Sequence, residues 1–179
     1  MSSASTQTGE GVASIALKPL AESDLPLTMQ WRNDERSLRW FKDAVPLKWE
    51  SHLAWYRRQD PSISRDRMFM AWTADGVPVG QSSIYNFDMD GTRAEVGRFL
   101  SDPALRGRGL FREALLQTLD MAFNEMALDE VHLEVISGNA RAIRLYESVG
   151  FTVIGTVAAI KDDGLTAMRL ARGDHRAAT

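Results

Sequence analysis

Apolar residues alternate with polar ones, or stand in short runs bounded by turn residues, along much of the chain. Both patterns are typical of β-strands. They predict strands at residues 15–20, 68–74, 77–85, 93–101, 131–136, 151–157 and 165–170. Because Asp75-Gly76 is a strong hairpin signal and residues 88–92 contain another turn, the stretch from 68 to 101 is predicted to form an antiparallel meander.

Apolar residues at helical spacing predict the helices. The clearest helix covers residues 110–127, where one apolar stripe lies opposite a charged face. Residues 139–149 are predicted to form a shorter helix, residues 48–59 an amphipathic one, and Glu22-Ser23-Asp24 resembles a further helix start. Residues 33–49 are predicted to be irregular. Strands and helices together indicate an α/β (α+β) protein.

Length and composition are those of one globular domain. The chain has 179 residues, of which 44% are hydrophobic, and this is enough to form a core. The sequence contains neither an internal repeat nor a linker. We therefore expect a single domain over residues 15–171, a disordered N-terminal tail over residues 1–14 and a frayed C-terminal tail over residues 172–179.

Charge and cysteine content exclude several kinds of function. A formal net charge of −3 argues against a nucleic-acid partner, for which a basic face would be expected. The absence of cysteine excludes disulfides, a cysteine nucleophile and thiolate metal sites, and no metal-ligand spacing is present. No apolar run approaches the roughly 20 residues that a membrane span requires. We expect a cytoplasmic protein without a metal, nucleic-acid or membrane partner.

The segment Leu105-Arg106-Gly107-Arg108-Gly109-Leu110 connects a predicted strand to the strongest predicted helix. Its two glycines allow a sharp turn and a close approach of the backbone to a ligand. The following helix offers unpaired N–H groups and the positive end of its dipole, which suit a phosphate. The segment has neither the Lys-Ser/Thr of a P-loop nor the third glycine of the dinucleotide fingerprint. An ordinary glycine-rich turn is the alternative interpretation of these residues.

The segment resembles the Arg-x-x-Gly-x-(Gly/Ala) loop of the GNAT superfamily of N-acetyltransferases, here residues 106–111. About thirty residues later that superfamily shows a strand, an Asn, a short helix with a Leu-Tyr pair, and a Gly-Phe. This chain has them at residues 131–136, Asn139, Leu145-Tyr146 and Gly150-Phe151. The chain is thus identified as a member of the GNAT superfamily.

The resemblance extends over roughly residues 15–171 and implies a fold. That fold is a mixed, mostly antiparallel sheet of six to seven strands whose central strands splay apart, flanked by about four helices. The pantetheine arm of coenzyme A would lie in the gap. Homodimers are common in the family, so a homodimer is one expected assembly.

The resemblance also implies acetyl-CoA as the co-substrate, without a metal. Backbone groups near Phe99 to Ser101 would pair with the pantetheine arm, as an added strand pairs with a sheet edge. Backbone N–H groups of the 106–110 loop would hold the pyrophosphate. Asn139 would contact the pantetheine arm or an ordered water, cap the next helix, or do both. The implied coenzyme-binding residues are Phe99, Leu100, Ser101, Arg106, Gly107, Arg108, Gly109, Leu110, Asn139, Arg141 and Tyr146.

Acetyl transfer requires a neutral amine, a donor for the oxyanion and a proton for the departing thiolate. By resemblance, Tyr146 faces the coenzyme sulfur and acts as the general acid; a core aromatic is the alternative. Two residues are candidates for the general base, Glu95 on a strand and His52 on a helix. A solvated glutamate and a packing histidine are the alternatives for them, and a chain of waters could replace both.

The acceptor half carries Trp31-Arg32-Asn33, followed by a helix with His52 and Trp55. This signature resembles the group of GNAT enzymes that acetylate nucleotide-linked amino sugars. Arg32 would contact a nucleotide phosphate, and Trp31 or Trp55 would stack on a base or sugar. The alternative is that the tryptophans are core anchors and that Arg32-Asn33 is a helix end. The signature also resembles enzymes that acetylate the N-termini of ribosomal proteins, and another small amine stays open.

Two hypotheses come from other functional classes. One is a non-catalytic coenzyme A-binding module, suggested by Phe111 at a loop position where the family prefers a small residue. The other is a nucleotide-binding protein that uses the glycine loop for ATP.

Overall fold

The computed structural model of the protein describes residues 14–59, 64–157 and 164–175. Within these residues the strands form one seven-stranded sheet. The strands are β1 (Ile15–Pro19), β2 (Arg67–Thr73), β3 (Pro78–Tyr85), β4 (Arg93–Ser101), β5 (Glu130–Ile136), β6 (Thr152–Val157) and β7 (Leu165–Ala171). All seven predicted strands are therefore present, with ends shifted by a residue or less.

Five α-helices occur in the same described ranges. They are α1 (Leu25–Asn33), α2 (Glu35–Leu38), α3 (Trp49–Arg57), α4 (Leu110–Asp120) and α5 (Ala140–Ser148). Short 3-10 helices cover Glu22–Asp24, Pro103–Leu105 and Arg172–Asp174, and Met121–Glu125 is π-helical. The single long helix predicted at residues 110–127 is thus an α-helix that widens into a π-turn near its end.

The sheet has the order β1-β2-β3-β4-β5-β7-β6. Every neighbouring pair is antiparallel except β4 and β5, which are parallel. A parallel pair needs a crossover connection, and α4 supplies it between β4 and β5. The predicted mixed, mostly antiparallel sheet is therefore confirmed.

The main core lies where α4 packs against the sheet. Leu115, Leu119 and Phe123 on the helix are buried against Val96 and Val131 on the central strands. Burying one such side chain contributes about 1.5–3 kcal/mol. The apolar stripe along residues 110–127 reflects this contact. A second cluster buries α1 against β2 and β4, with Leu25, Trp31, Met70 and Leu100 at its centre.

The ends of the chain differ in part from the expectation. Residues 1–13 of the predicted N-terminal tail and residues 176–179 of the predicted C-terminal tail lie outside the described residues. Residues 172–175, expected to fray, instead form a 3-10 helix followed by His175. The His175 Nε2 atom lies 2.6 Å from Asp120 Oδ1, and its side chain is buried beside Phe123. The irregular stretch predicted from residue 33 contains α2.

Candidate active site

A cleft of about 1400 Å³ opens where β4 and β5 part. The two strands pair only through Arg93–Glu95 and Glu130–His132. Beyond these residues both strands continue, and Val96–Ser101 and Leu133–Ile136 line opposite walls of the cleft. The separation leaves backbone groups of β4 without a strand neighbour on that side. The predicted splay of the central strands is therefore present.

A β-bulge bends β4 at the cleft. Gly97 pairs with Ser83 and Leu100 pairs with Gln81, so two residues of β4 stand opposite Ser82. One of the two, Arg98, has a φ of 51°, and its carbonyl accepts a hydrogen bond of 3.1 Å from Gln81 Nε2. The bulge turns the next residues of β4, Phe99 to Ser101, along the cleft wall. Their unpaired edge can add an extended amide chain as a further strand.

The glycine loop lies at one end of the cleft. Gly107 and Gly109 have φ values of +84° and +77°, which disfavour other residues. The backbone conformation therefore favours glycine at both positions. A Cβ atom at either position would meet no atom within 4 Å, so the space beside the backbone is free. Gly109 is the N-cap of α4, whose first N–H groups have no partner within the helix. These groups form a site suited to an anion.

Arginine side chains surround this end of the cleft. Arg106 donates a hydrogen bond of 2.6 Å to the buried Ser37 Oγ, and partial burial lowers its pKa. The glycine loop is thereby tied to α2. Arg108 is exposed, and neither Arg108 nor Leu110 is among the residues that line the cleft. The arginines of the lining at this end are Arg36, Arg39, Arg106, Arg112 and Arg141.

Phe111 stands at the loop position where the family prefers a small residue. Its ring packs against β3 at Gly80, which has no side chain. A Cβ atom at Gly80 on β3 would lie 3.0 Å from the Phe111 ring and would collide with the Leu100 carbonyl oxygen. The Phe111 ring also makes an edge contact with Phe99, with 5.9 Å between centroids. The large side chain therefore packs onto the sheet.

Tyr146 lies on α5 and lines the middle of the cleft. Its ring packs against Phe99 and Phe151, with centroid distances of 5.8 and 6.0 Å. Burial, with a smaller contribution from the nearby Tyr85, raises the pKa of the Tyr146 hydroxyl above its usual range. The hydroxyl is protonated at neutral pH, as in an ordinary tyrosine, and carries a proton that it can donate. The ring is a core aromatic that also lines the cleft, and the predicted general-acid role stays a prediction.

Asn139 and Arg141 stand at the start of α5. Asn139 Oδ1 accepts a hydrogen bond of 3.2 Å from the Ala142 N–H, so the predicted N-cap is present. Both residues line the cleft, and Arg141 is exposed.

Three side chains form a cluster on β3 and β4 at the opposite end of the cleft. Tyr85 and Glu95 are cross-strand partners, and Arg98 lies over the Tyr85 ring at 4.1 Å from its centroid. Burial and the negative charge of Glu95 raise the pKa of Tyr85. A Cβ atom at Gly97 would lie 2.8 Å from the Tyr85 hydroxyl, so this glycine gives the tyrosine its place over β4. Glu95 was a sequence candidate, whereas Tyr85 and Arg98 were not.

His52 on α3 also lines this end and is 6% exposed. Its ring stacks on Trp55 with the planes 5° apart, and its Nε2 atom lies 3.1 Å from the buried Thr28 Oγ1. Burial lowers the pKa of His52, so the imidazole is neutral at neutral pH. A neutral imidazole at the cleft can accept a proton.

The Trp31-Arg32-Asn33 signature separates into three different positions. Arg32 lines the cleft, with its guanidinium 3.6 Å from the centre of the Phe41 ring, and burial lowers its pKa. Trp31, expected to stack on an acceptor, is instead 3% exposed, because it is buried in the second core cluster with Leu25, Met70 and Leu100. Asn33, also expected at the acceptor, exchanges two hydrogen bonds with the Leu47 backbone, of 3.0 and 2.7 Å. It fixes the segment before α3.

The residues of the cleft fit acetyl-CoA. The open edge of β4 suits the amide groups of pantetheine, and the N-terminus of α4 suits the pyrophosphate. The arginines at the glycine-loop end of the cleft match the negative charges of the coenzyme. No group of three or more His, Asp or Glu residues in the described ranges could hold a metal ion. Among the same residues, no helix is both long and apolar enough to cross a membrane.

A sequence profile of the family described as "Acetyltransferase (GNAT) domain" matches residues 14–152. Aminoglycoside N(6')-acetyltransferase type 1 of Klebsiella pneumoniae is 26% identical over 80% of this chain and 77% of its own length. Spermidine N(1)-acetyltransferase of Escherichia coli is 28% identical over 79% of this chain and 75% of its own length. The chain spans only 28% of an uncharacterized protein of Methanocaldococcus jannaschii to which it is 25% identical.

Among solved structures, spermidine N-acetyltransferase from Vibrio cholerae in complex with CoA and spermine shares the fold. Its TM-score is 0.80 and its identity 19%, over 90% of this chain and 97% of that chain.

Proposed function

The chain belongs to the GNAT acetyltransferase family, for which acetyl-CoA is the co-substrate, and from this premise we propose that it acetylates a primary amine by direct transfer. The observation that carries the proposal is the cleft between β4 and β5. It joins an open strand edge, a helix N-terminus and a protonated tyrosine in one continuous space. These are the elements required to hold a thioester and to assist its cleavage.

The coenzyme is proposed to lie along β4, with its pyrophosphate at the N–H groups of Gly109 and Leu110. The positive φ values of Gly107 and Gly109 turn the backbone at this point, and the absence of a Cβ leaves room for the phosphates. Arg106 and Arg141 add positive charge nearby. The amide groups of pantetheine would then pair with backbone groups of residues 99–101, and Asn139 would contact the same arm.

The proposed reaction has one proton donor and one proton acceptor. The ammonium group of the acceptor first loses a proton, and the neutral amine forms the N–C bond. The tetrahedral adduct then loses a second N–H proton to solvent while the C–S bond breaks. Tyr146 donates its proton to the departing thiolate and recovers one from solvent. The position of Tyr146 in the middle of the cleft supports this role, and its hydroxyl carries a proton at neutral pH, as tyrosines ordinarily do.

Glu95 and His52 are the proposed routes for the amine proton. Both line the end of the cleft opposite the glycine loop, which we call the acceptor end. Glu95 lies beside the Tyr85 hydroxyl, whereas His52 has a lone pair on a neutral ring. A water held by either residue would serve the same step.

For the acceptor we favour an amine carried on a sugar ring over a flexible polyamine. Aromatic side chains of Phe41, Trp55 and Tyr85 line this end of the cleft and suit the face of a ring. The charged residues that line this end are equal in number. The cations are Arg32, Lys42 and Arg98, and the carboxylates are Asp43, Glu95 and Glu134. A polycation such as spermidine would benefit from an excess of carboxylates, which this lining lacks.

The named relatives act on two such acceptors, an aminoglycoside and spermidine. Neither name refers to a nucleotide-linked amino sugar. That acceptor rests on Arg32, which could contact a nucleotide phosphate, and on Trp55 as a stacking partner.

The test is turnover of acetyl-CoA, followed by release of the free thiol. The panel contains kanamycin, spermidine, UDP- and dTDP-linked amino sugars, and a peptide with a free N-terminus. We expect turnover with at least one sugar-borne amine and a higher kcat/KM than with spermidine. A higher value for spermidine would reject the acceptor class but keep the transferase. Absence of thiol release with every amine, combined with tight coenzyme binding, would instead indicate a non-catalytic coenzyme A-binding module.

A further inference from the structure

Thr28 is a fully buried polar residue of α1 for which the proposed reaction has no role so far. It is 0% exposed, and its hydroxyl makes two contacts. It donates a hydrogen bond of 3.2 Å to the Leu25 carbonyl oxygen, and it lies 3.1 Å from His52 Nε2. A threonine hydroxyl has a single proton to donate. The Leu25 carbonyl oxygen can only accept, so both contacts are hydrogen bonds only if the Thr28 proton goes to Leu25 and the Thr28 oxygen accepts from His52 Nε2–H.

This assignment determines the tautomer of His52. A neutral imidazole carries its proton on one nitrogen and a lone pair on the other. With the proton on Nε2, the lone pair is on Nδ1. In the part of the chain that the structure describes, Nδ1 has no hydrogen-bond partner, and it is not among the unpaired polar atoms sealed from solvent. His52 lines the cleft, so this lone pair is accessible from it.

The surroundings hold the ring in this orientation. Trp55 stacks on one face of the imidazole at 5.4 Å between centroids. A rotation of the ring out of its plane would lose the stack on Trp55, and a flip within the plane would lose the hydrogen bond to Thr28. Burial also keeps the ring neutral, because it lowers the pKa of His52.

We infer that Thr28 is a positioning residue that holds His52 as the Nε2–H tautomer and so presents the Nδ1 lone pair to the acceptor amine. This inference rests on the proposed acetyl transfer and selects His52 over Glu95 as the base. His52 Nδ1 takes the proton that the acceptor ammonium group loses before the N–C bond forms. The resulting imidazolium then returns that proton to solvent.

Three variants separate the positioning role from a packing role. Thr28→Val keeps the shape of the side chain but removes the acceptor, so the buried Nε2–H loses its partner and the Nδ1–H tautomer becomes favoured. Thr28→Ser keeps the hydroxyl and is the matched control. His52→Gln keeps an N–H donor for Thr28 but removes the base.

The first readout is spectroscopic and independent of the acceptor. Long-range ¹H–¹⁵N correlation spectra of protein labelled with ¹⁵N-histidine report the tautomer of each ring. The chain has three histidines, and the signals missing from His52→Gln identify those of His52. We expect Nε2–H in the wild type and in Thr28→Ser, and a shift toward Nδ1–H in Thr28→Val.

The second readout is kcat with the best acceptor of the amine panel. Thr28→Val should lower kcat roughly tenfold, the factor that one neutral hydrogen bond is worth, with the KM for acetyl-CoA unchanged. Thr28→Ser should restore it. An Nδ1–H tautomer in the wild type, or equal kcat in Thr28→Val and Thr28→Ser, would overturn the inference while the transferase stands. A wild type that acetylates no amine would reject the proposed function, and with it His52 as a base.

Discussion

The two ends of the cleft are built in different ways. At the coenzyme end the site consists mainly of backbone: the unpaired edge of β4, two glycines with positive φ and the N-terminus of α4. At the acceptor end it consists of side chains from α1, α3, β3, β4 and β5 and from the segment between α2 and α3. The comparison teaches that a site built from backbone can be recognised in the sequence by its glycines. A site built from side chains cannot be recognised as easily, because packing decides which way each side chain points.

Tyr146→Phe gives the largest expected effect, because Tyr146 lies where the two ends meet. Removal of the hydroxyl should lower kcat about a hundredfold, the lower end of what general acid catalysis contributes. The dissociation constant of acetyl-CoA should change little. Steady-state kinetics and calorimetry measure the two quantities.

Tyr56→Phe is the matched control for that prediction. The Tyr56 hydroxyl donates to the Leu20 carbonyl oxygen at 3.1 Å, outside the cleft lining. Its loss should cost about 1 kcal/mol of stability without changing kcat. An unchanged kcat in Tyr146→Phe, with thiolate departure contributing to the rate, would remove Tyr146 from the mechanism.

Gly109→Val tests the backbone character of the coenzyme end. A β-branched residue is strained at a φ of +77°, so the loop should reorganise and weaken acetyl-CoA binding at least tenfold. The strain itself should lower stability by about 1–2 kcal/mol. Titration calorimetry with acetyl-CoA gives the affinity, and urea unfolding gives the stability.

Gly76→Val is an equivalent change away from the cleft. Gly76 has a φ of +82° in the turn between β2 and β3, and a Cβ there would also meet no atom within 4 Å. Both variants should lose similar stability, but only Gly109→Val should lose affinity. Equal affinities in the two variants would contradict a pyrophosphate site at the glycine loop.

Arg32→Ala tests the side-chain character of the acceptor end, with a smaller effect. We expect the acceptor KM to rise about fivefold, as the loss of one guanidinium contact of roughly 1 kcal/mol would produce. The KM of acetyl-CoA should not change. Arg57→Ala removes an exposed guanidinium paired with Glu22 and serves as the control. If both Michaelis constants rose together in Arg32→Ala, the two ends would not be separable.

The smallest expected effect is a pH dependence of stability. Burial lowers the pKa of folded His52, so the unfolded chain binds this proton more readily. The contribution of His52 is therefore complete above the unfolded pKa and is lost as the pH falls below it. Urea unfolding between pH 7 and pH 5 should show a steeper loss of stability in the wild type than in His52→Gln. Identical slopes would indicate that His52 is not desolvated in the folded protein.

Most of the sheet and the conformation of the glycine loop could be predicted from the sequence, whereas the contacts of that loop with the coenzyme stay a prediction. Alternation fixes which residues are strands, and the two glycines of the loop can be read because only glycine adopts their conformation at low cost. The acceptor end could not be read as well. Trp31 and Asn33 stand beside Arg32 in the sequence, but a helix turns successive residues to different sides, and only Arg32 reaches the cleft.

Arg98 and Thr28 had no sequence signal. The direction of Arg98 depends on a bulge whose φ of 51° falls on a non-glycine residue. Thr28 acquires its importance only when α1 and α3 pack together. Tyr85 could have been found, because it stands on the strand next to Glu95 and Gly97 leaves space for its hydroxyl.

The separation of β4 from β5 has a consequence for how the protein behaves in a crowded solution. An unpaired strand on the outside of a sheet is a template for aggregation, because another chain can pair with it. Here the open hydrogen-bonding edge lies in the middle of the sheet, between two walls. A slender linear molecule can reach it, whereas a second folded chain is too wide to enter. The fold thus leaves backbone N–H and C=O groups of β4 free to hydrogen-bond a ligand, while other protein molecules cannot pair with them.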